Sequence, residues 1–180
     1  MRITVVDIMK IQNEDNLERV KEKIWDAFKD AKYPGDDKIV YDNDDLDCMK
    51  MKSFLKGKDW RDVSSEILMK DTSSIFYLSN DGLYYFIPSY IMASLNENIK
   101  IDVIYDYTIR SLTPPSGMEN WDDFSNLSSK LTIKQKEAIH SFLNFEKLRM
   151  DECATRQNRN LDGDPLYSDL LSAIKYWGFN

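Results

Sequence analysis

The chain has 180 residues, of which 42% are hydrophobic and 31% charged, and its formal net charge is −7 at pH 7. A chain of this length fits one domain and buries most of its apolar surface without disulfides or metals. The excess of acid repels phosphate backbones, which disfavours a sequence-independent nucleic-acid binder. We therefore expect one globular domain over residues 1–180 and no nucleic-acid partner.

The cysteines and the N-terminus bear on where the protein works. Cys48 and Cys153 form no CxxC motif, so we expect two reduced thiols. Asp7 and Lys10 interrupt the apolar run that a signal peptide needs, and no stretch reaches the ~18 apolar residues of a membrane span. The sequence predicts a cytoplasmic protein that does not interact with membranes.

The first clear element is a helix that begins near residue 15. Asp15 or Asn16 can cap it, and Pro34 and Gly35 follow its end. The dozen residues before it fit either a short strand or an irregular lead-in. The apolar residues at helical spacing are Leu17, Val20, Ile24 and Phe28.

An acidic segment follows at residues 36–47, with six aspartates and one lysine. We interpret it as a solvated loop, and the alternative is an edge that docks a basic partner. The aspartates that we select as candidate partner-binding residues are Asp42, Asp44, Asp45 and Asp47.

Next, the segment KDWRDVSSEILMK predicts a second helix, with Asp59 as its cap and Trp60, Val63 and Ile67 on one face. Residues 75–78 then form a strand-like run before a helix start at residues 79–81.

Residues 81–95, DGLYYFIPSYIMASL, combine aromatic side chains with one proline. Pro88 disfavours the α conformation at Ile87 and suits a first helical turn. We therefore expect a helix up to Phe86, a break, and a new helix from Pro88 to about Leu95. We interpret the aromatic cluster mainly as core and boundary packing, with a partner surface or a ligand pocket as the alternatives.

Three elements complete the chain. Residues 100–112 fit a strand or a helix, and the Pro-Pro-Ser-Gly stop slightly favours the helix. Residues 131–150 predict a strong helix, with Thr132 and Gln135 at capping-box spacing. The last helix has Asp164 as cap, and Gly178 ends it. The expected fold is mainly α, a single-domain helical bundle with at most a small strand pair.

Few residues suit catalysis. The one histidine, His140, has no sequence link to a serine or cysteine nucleophile, and no glycine-rich phosphate loop is present. Residues 158–169 resemble a calcium loop, but Asn158 replaces its first carboxylate and Asp169 its bidentate glutamate. We interpret this segment as a turn before an Asp-Pro helix start. We expect no catalytic residue, no metal site and no cofactor.

Four segments carry a resemblance. They are DW (59–60), FYLSNDGLYYFIPSYIMASL (76–95), SLTPP (111–115) and LTIKQKEAIHSFL (131–143). Together they resemble a family of small uncharacterised bacterial domains with a Tyr-Tyr-x-x-Pro-x-Tyr motif, here Tyr84, Tyr85, Pro88 and Tyr90. The resemblance spans the middle half of the chain and implies a helical domain, without a reaction or catalytic residues.

Two functional hypotheses remain. A small acidic domain without catalytic groups is similar in character to immunity proteins, which neutralise a toxin or effector by occluding its active site. In that hypothesis the four aspartates steer a basic toxin, and Trp60, Tyr84 and Tyr90 bind it. The alternative is a ligand-binding domain or hydrolase-type enzyme with a pocket beside Tyr84–Tyr90 and with Asp102 or Asp106 as acid or base.

Overall fold

The computed structural model describes residues 5–96, 102–117 and 120–179. Over these residues the chain is a bundle of eight α-helices, which confirms the mainly α fold. The helices are α1 (Val5–Phe28), α2 (Leu46–Leu55), α3 (Ser65–Leu68), α4 (Asn80–Ser94), α5 (Asp102–Ser111), α6 (Trp121–Lys130), α7 (Ile133–Gln157) and α8 (Pro165–Phe179). Short 3-10 helices lie at Asp36–Lys38, Trp60–Asp62 and Ser74–Tyr77.

The expected strand pair is reduced to a single contact. Within the described ranges, the one extended pairing is an antiparallel bridge between Val40 and Leu78. The strand-like run at residues 75–78 is instead mostly a 3-10 helix, Ser74–Tyr77.

Helix α4 forms the centre of the bundle. Its residues 85–91 are all buried, which is typical of a helix that is covered on every side. It packs against α1, α3, α5 and α6. Ser79 caps it, because its Oγ accepts a hydrogen bond from the backbone N–H of Gly82 at 3.0 Å. Because residues 85–91 are buried, the aromatic cluster belongs mainly to the core, as its sequence indicates.

The predicted break at Ile87 is wrong, because α4 continues through Pro88 without interruption. A proline inside a helix removes one backbone hydrogen bond and costs about 3 kcal/mol. Phe86, Ile87 and Ile91 are each at most 1% exposed on either side of it. Burying three such side chains contributes more than the proline costs, so the helix persists.

Helices α1 and α7 pack side by side in opposite directions. Lys23 Nζ donates to Ser141 Oγ at 3.1 Å, whereas Asp26, further along α1, pairs with the earlier Lys134 of α7 at 2.5 Å. Helix α1 already begins at Val5, so a strand or irregular lead-in over those residues is wrong, and neither Asp15 nor Asn16 caps it.

The predicted cap of α7 is confirmed. Gln135 N–H donates to Thr132 Oγ1 at 3.3 Å, and Thr132 N–H donates to Gln135 Oε1 at 2.9 Å. The helix is longer than its sequence suggests and ends at Gln157, where Asn158 has a left-handed conformation.

The remaining elements give mixed outcomes. The helical alternative for α5 is correct. Ile104, Thr108 and Ile109 form its buried face, and Leu112, directly after the helix, is also buried. Asp164 accepts from the backbone N–H of Tyr167 at 3.1 Å, which confirms the cap of α8. Helix α8 runs through Gly178, however, so the predicted end there is wrong.

The segment after residue 58 is less regular than its pattern predicts. Asp59 does cap a helical turn, by accepting from the backbone N–H of Arg61 at 2.9 Å. That turn is a 3-10 helix, and the chain extends at Val63 and Ser64 before α3 begins. The single predicted helix is therefore two short pieces.

The hydroxyl of Tyr105 gives a prediction for stability. It is buried and has no hydrogen-bond partner among the residues that the structure describes. Burial raises the pKa of Tyr105, and the nearby Glu146 carboxylate raises it further. Because removing an unpaired buried polar group is favourable, we expect Tyr105→Phe to raise the free energy of unfolding by about 1 kcal/mol in urea denaturation.

Tyr90 provides the matched control for that change. Its hydroxyl is equally buried but lies 2.7 Å from Ser74 Oγ, in a hydrogen bond. We expect Tyr90→Phe to lower the free energy of unfolding by about 1 kcal/mol, since Ser74 loses its partner. Equal destabilisation by both changes would contradict this account of Tyr105.

Candidate partner-binding surface

Helix α2 lies at the surface, and one of its faces packs against the core. Cys48, Met51 and Leu55 are each at most 1% exposed and fix the helix to the core. These three residues share one face of the helix because they are three and seven positions apart. Leu46 and Met49 are also three positions apart and lie on the opposite face. Their side chains therefore extend into solvent.

The acidic residues before α2 organise its first turn. Asp45 Oδ1 accepts from the backbone N–H of Cys48 at 2.9 Å and so caps the helix. This hydrogen bond holds the pKa of the Asp45 carboxyl below its ordinary value. Asp42 Oδ1 accepts from the backbone N–H of Asp44 at 2.8 Å, which fixes the preceding turn. The interpretation of residues 36–47 as a solvated loop is therefore wrong in part. Residues 36–38 form a 3-10 helix, Ile39 and Val40 are at most 3% exposed, and residues 46 and 47 are helical.

Apolar side chains are exposed among these aspartates. Tyr41 is 62% exposed, Leu46 80% and Met49 50%. The backbone of Tyr41 is fixed, because its N–H donates to the carbonyl of Tyr77 at 3.2 Å. We refer to residues 41–49 as the acidic edge.

Within the described residues the aspartates of the acidic edge form no ion pairs, although Lys52 Nζ donates to Asn43 Oδ1 of the edge at 2.8 Å. Asp42, Asp44, Asp45 and Asp47 are all exposed, and residues 41–49 contain no lysine or arginine. In the described part of the chain, no basic group forms an ion pair with any of the four. The neighbouring Asp36 and Asp37 differ, since they pair with Lys56 at 3.4 Å and Lys52 at 3.2 Å.

The structure does not place the selected aromatics on this surface. Trp60 and Tyr90 are each 1% exposed, so the expectation that they are exposed anchors is wrong. Trp60 Nε1 donates to the carbonyl of Phe28 at 3.2 Å, which holds the indole in the core. Tyr84 is half-buried and its hydroxyl accepts from Gln135 Nε2 at 3.2 Å, so its role in binding stays a prediction.

The aromatic segment also gives little support to a ligand pocket. Tyr85 is 3% exposed and packs edge-on against Phe86 at 4.9 Å, so its ring fills the core. The alternative acid or base Asp102 lies outside the described side chains. Asp106 is half-buried on α5.

The segment that resembles a calcium loop connects α7 and α8. Asn160 Oδ1 accepts from the backbone N–H of Asp162 at 2.9 Å, which forms a turn. Asp169 pairs with Arg110 of α5 at 2.9 Å, so its carboxylate is directed toward another helix. Among the described side chains, no cluster of three or more histidines, cysteines or carboxylates could hold a metal ion.

Sequence reasoning missed the apolar part of the acidic edge. Asp45 followed three residues later by buried Cys48 is a helix-start signal, but it lies within a run of aspartates. Once the position of α2 is known, its helical periodicity places Leu46 and Met49 on the outer face.

Of the described helices, none is both long and apolar enough to cross a bilayer.

Comparison with known proteins gives a family assignment. The sequence profile of a family of unknown function (DUF6714) matches residues 16–178. No curated protein and no solved structure matches the chain. The match is longer than the resemblance in the middle half of the sequence, since it also includes α2 and nearly all of α8. The chain belongs to this family of unknown function, DUF6714.

Proposed function

We propose that this protein binds a basic protein partner through the acidic edge. The observation that carries the proposal is the combination of four exposed aspartates with three exposed apolar side chains within residues 41–49, which the Tyr41–Tyr77 hydrogen bond and the Asp45 cap hold in place. The aspartates attract a basic surface at long range, and this raises the association rate. Tyr41, Leu46 and Met49 supply the apolar contact that slows dissociation.

We further propose that the partner is a toxin or effector, and that binding occludes its active site. A small acidic chain that acts by steric blockage needs no catalytic group of its own. Toxins that act on nucleic acids carry basic surfaces, and an acidic edge competes for such a surface by charge alone. In this role the protein is an immunity protein.

A charge-neutral variant of the acidic edge tests the proposal. Asn replaces Asp at positions 42, 44, 45 and 47, because asparagine caps a helix as well as aspartate does and α2 is retained. We expect the association rate with the partner to fall about tenfold or more at low salt, and to differ less at high salt. Association rates by biolayer interferometry measure the change.

The partner is first captured with the tagged wild-type chain at low salt and identified by mass spectrometry. The control variant carries four Asp→Asn changes at exposed positions outside the edge, which are Asp15, Asp30, Asp62 and Asp122. A specific partner is retained by this control and lost by the edge variant. Co-expression of the wild-type chain should also restore growth of cells that produce the partner.

Two results would count against the proposal. Equal retention of the partner by both variants would show that net charge, and not the acidic edge, determines binding. A partner that binds through the edge but whose toxicity is unchanged by co-expression would contradict the immunity role alone.

A further inference from the structure

A second surface feature lies between α1 and α7. A groove of about 730 Å³ runs along the junction of the two antiparallel helices. This volume falls within the range of about 300–1,000 Å³ that is typical of small-ligand sites. No residue of the acidic edge lines it, so it is a separate feature of the molecule.

One end of the groove is apolar. Val20 of α1 and Phe145 of α7 form its floor, and each is 7% exposed. Leu148 lies one turn further along α7 and is 55% exposed. An aliphatic chain placed here would cover Leu148, which the protein itself leaves in water.

The groove also carries cationic donors. Lys23 Nζ donates to Ser141 Oγ at 3.1 Å, and the Ser141 hydroxyl donates in turn to the carbonyl of Glu137 at 2.8 Å. An ammonium group has three N–H donors, so two of those on Lys23 remain for a ligand. Arg19 lies one turn earlier on the same face of α1, next to Val20 and so nearer to the apolar end, and the two cations therefore flank the middle of the groove. The Arg19 guanidinium forms no hydrogen bond or ion pair within the described residues.

The acidic residues of the groove do not cancel this charge. Asp26 is already paired with Lys29 at 2.7 Å and Lys134 at 2.5 Å. These two lysines lower the pKa of Asp26 to about 2, so its carboxylate stays ionised and compensated. Glu22 is the other acidic lining residue and is exposed, against two cations, Arg19 and Lys23.

We propose that this groove binds a small amphipathic anion, specifically an aliphatic carboxylate of medium length. Its carboxylate accepts hydrogen bonds from Lys23 and Arg19, and its alkyl chain lies over Val20, Phe145 and Leu148. The distance along α7 from Ser141 to Leu148 is about 10 Å, so the chain spans roughly two helical turns. This site is independent of the proposed protein-binding function.

Octanoate is the probe that tests the site. We expect saturable, one-to-one binding to the full chain by isothermal titration calorimetry. Octanol keeps the alkyl chain and lacks the charge, and acetate keeps the charge and lacks the chain. Because each loses one half of the contacts, we expect both to bind at least about tenfold more weakly.

Two variants locate the binding. Arg19→Gln with Lys23→Gln removes both cations, and Leu148→Asn makes the apolar end polar. All three side chains are exposed, so the fold should be retained, and thermal unfolding of each variant checks this. The matched control, Arg156→Gln with Lys175→Gln, removes two exposed cations outside the groove.

The expected result is a loss of octanoate affinity of about tenfold or more in both groove variants and none in the control. Absence of saturable binding at millimolar octanoate would overturn the proposal. Binding that both groove variants retain would also overturn it, because the ligand would then lie elsewhere. If acetate bound as tightly as octanoate, the groove would be a simple anion site, and the proposed contact with the alkyl chain would be contradicted.

Discussion

Replacing Gly82 by alanine is expected to prevent folding or to lower the free energy of unfolding by about 3 kcal/mol or more. A Cβ atom at this position would lie 2.0 Å from the carbonyl oxygen of Ile39 and 2.8 Å from its carbonyl carbon. Both are backbone atoms, and Ile39 cannot retreat, because its carbonyl accepts from the N–H of Ser79 at 3.0 Å and its side chain is fully buried. Urea denaturation and circular dichroism measure the effect.

Gly117 provides the matched control for this substitution. An added Cβ there would meet nothing within 4 Å, and the residue does not need a left-handed conformation. We expect Gly117→Ala to change stability by less than about 1 kcal/mol. Wild-type stability in Gly82→Ala would contradict the close approach of α4 to Ile39.

The second large effect is expected from Trp60→Ala. The indole is 1% exposed, and its N–H donates to the carbonyl of Phe28 at 3.2 Å. Its loss would leave a cavity between α1 and α4 and remove one of the two hydrogen bonds that the Phe28 carbonyl accepts, the other coming from the N–H of Ala31. We expect the free energy of unfolding to fall by about 3–5 kcal/mol, measured by chemical denaturation.

Trp25 is the control for Trp60, because it is the same residue type in contact with it. Its ring packs edge-on against Trp60 at 5.3 Å but is 47% exposed. We expect Trp25→Ala to cost less than half as much as Trp60→Ala, since less area returns to water. A protein that keeps its stability without Trp60 and loses partner binding would restore the original prediction that Trp60 is an anchor.

Some helix caps were predicted correctly, whereas the cap at Asp15 or Asn16 and the end at Gly178 were not. The capping box of Thr132 and Gln135 and the cap of Asp164 depend on contacts within one turn, so the sequence contains all the information that they require. For residues 100–112 the sequence fitted a strand or a helix, and the structure selects the helix and buries Ile104, Thr108 and Leu112.

Features that depend on distant residues were not predictable. Pro88 signals a helix break locally, but burial of its neighbours in the bundle decides the outcome. Helix α6 had no predicted counterpart, and Asn120 before it has a left-handed conformation and provides no side-chain cap. Gly178 signals a helix end, yet its lack of a side chain instead allows α8 to pack against His140, because a Cβ atom at this position would lie 3.0 Å from His140 Nε2.

Of the acidic edge, the charged residues could be predicted from the sequence and the apolar residues could not. The four aspartates were selected from their density alone, and the structure exposes all of them. Its apolar side chains were not selected, because exposure of Leu46 and Met49 depends on which face of α2 meets the core. For the same reason Trp60 was misassigned: residue type indicates that a tryptophan can anchor a partner, but only packing determines whether it is reachable.

The pairing of α1 with α7 has a consequence for synthesis of the chain. More than 100 residues separate Phe28 from the start of α7 at Ile133. At about 5–20 residues per second, a ribosome needs on the order of ten seconds to translate that interval. During this time α1 leaves the exit tunnel, and the part of its apolar face that packs against α7 stays exposed because α7 has not yet been made. A chaperone that binds amphipathic helices would therefore encounter the nascent chain at α1.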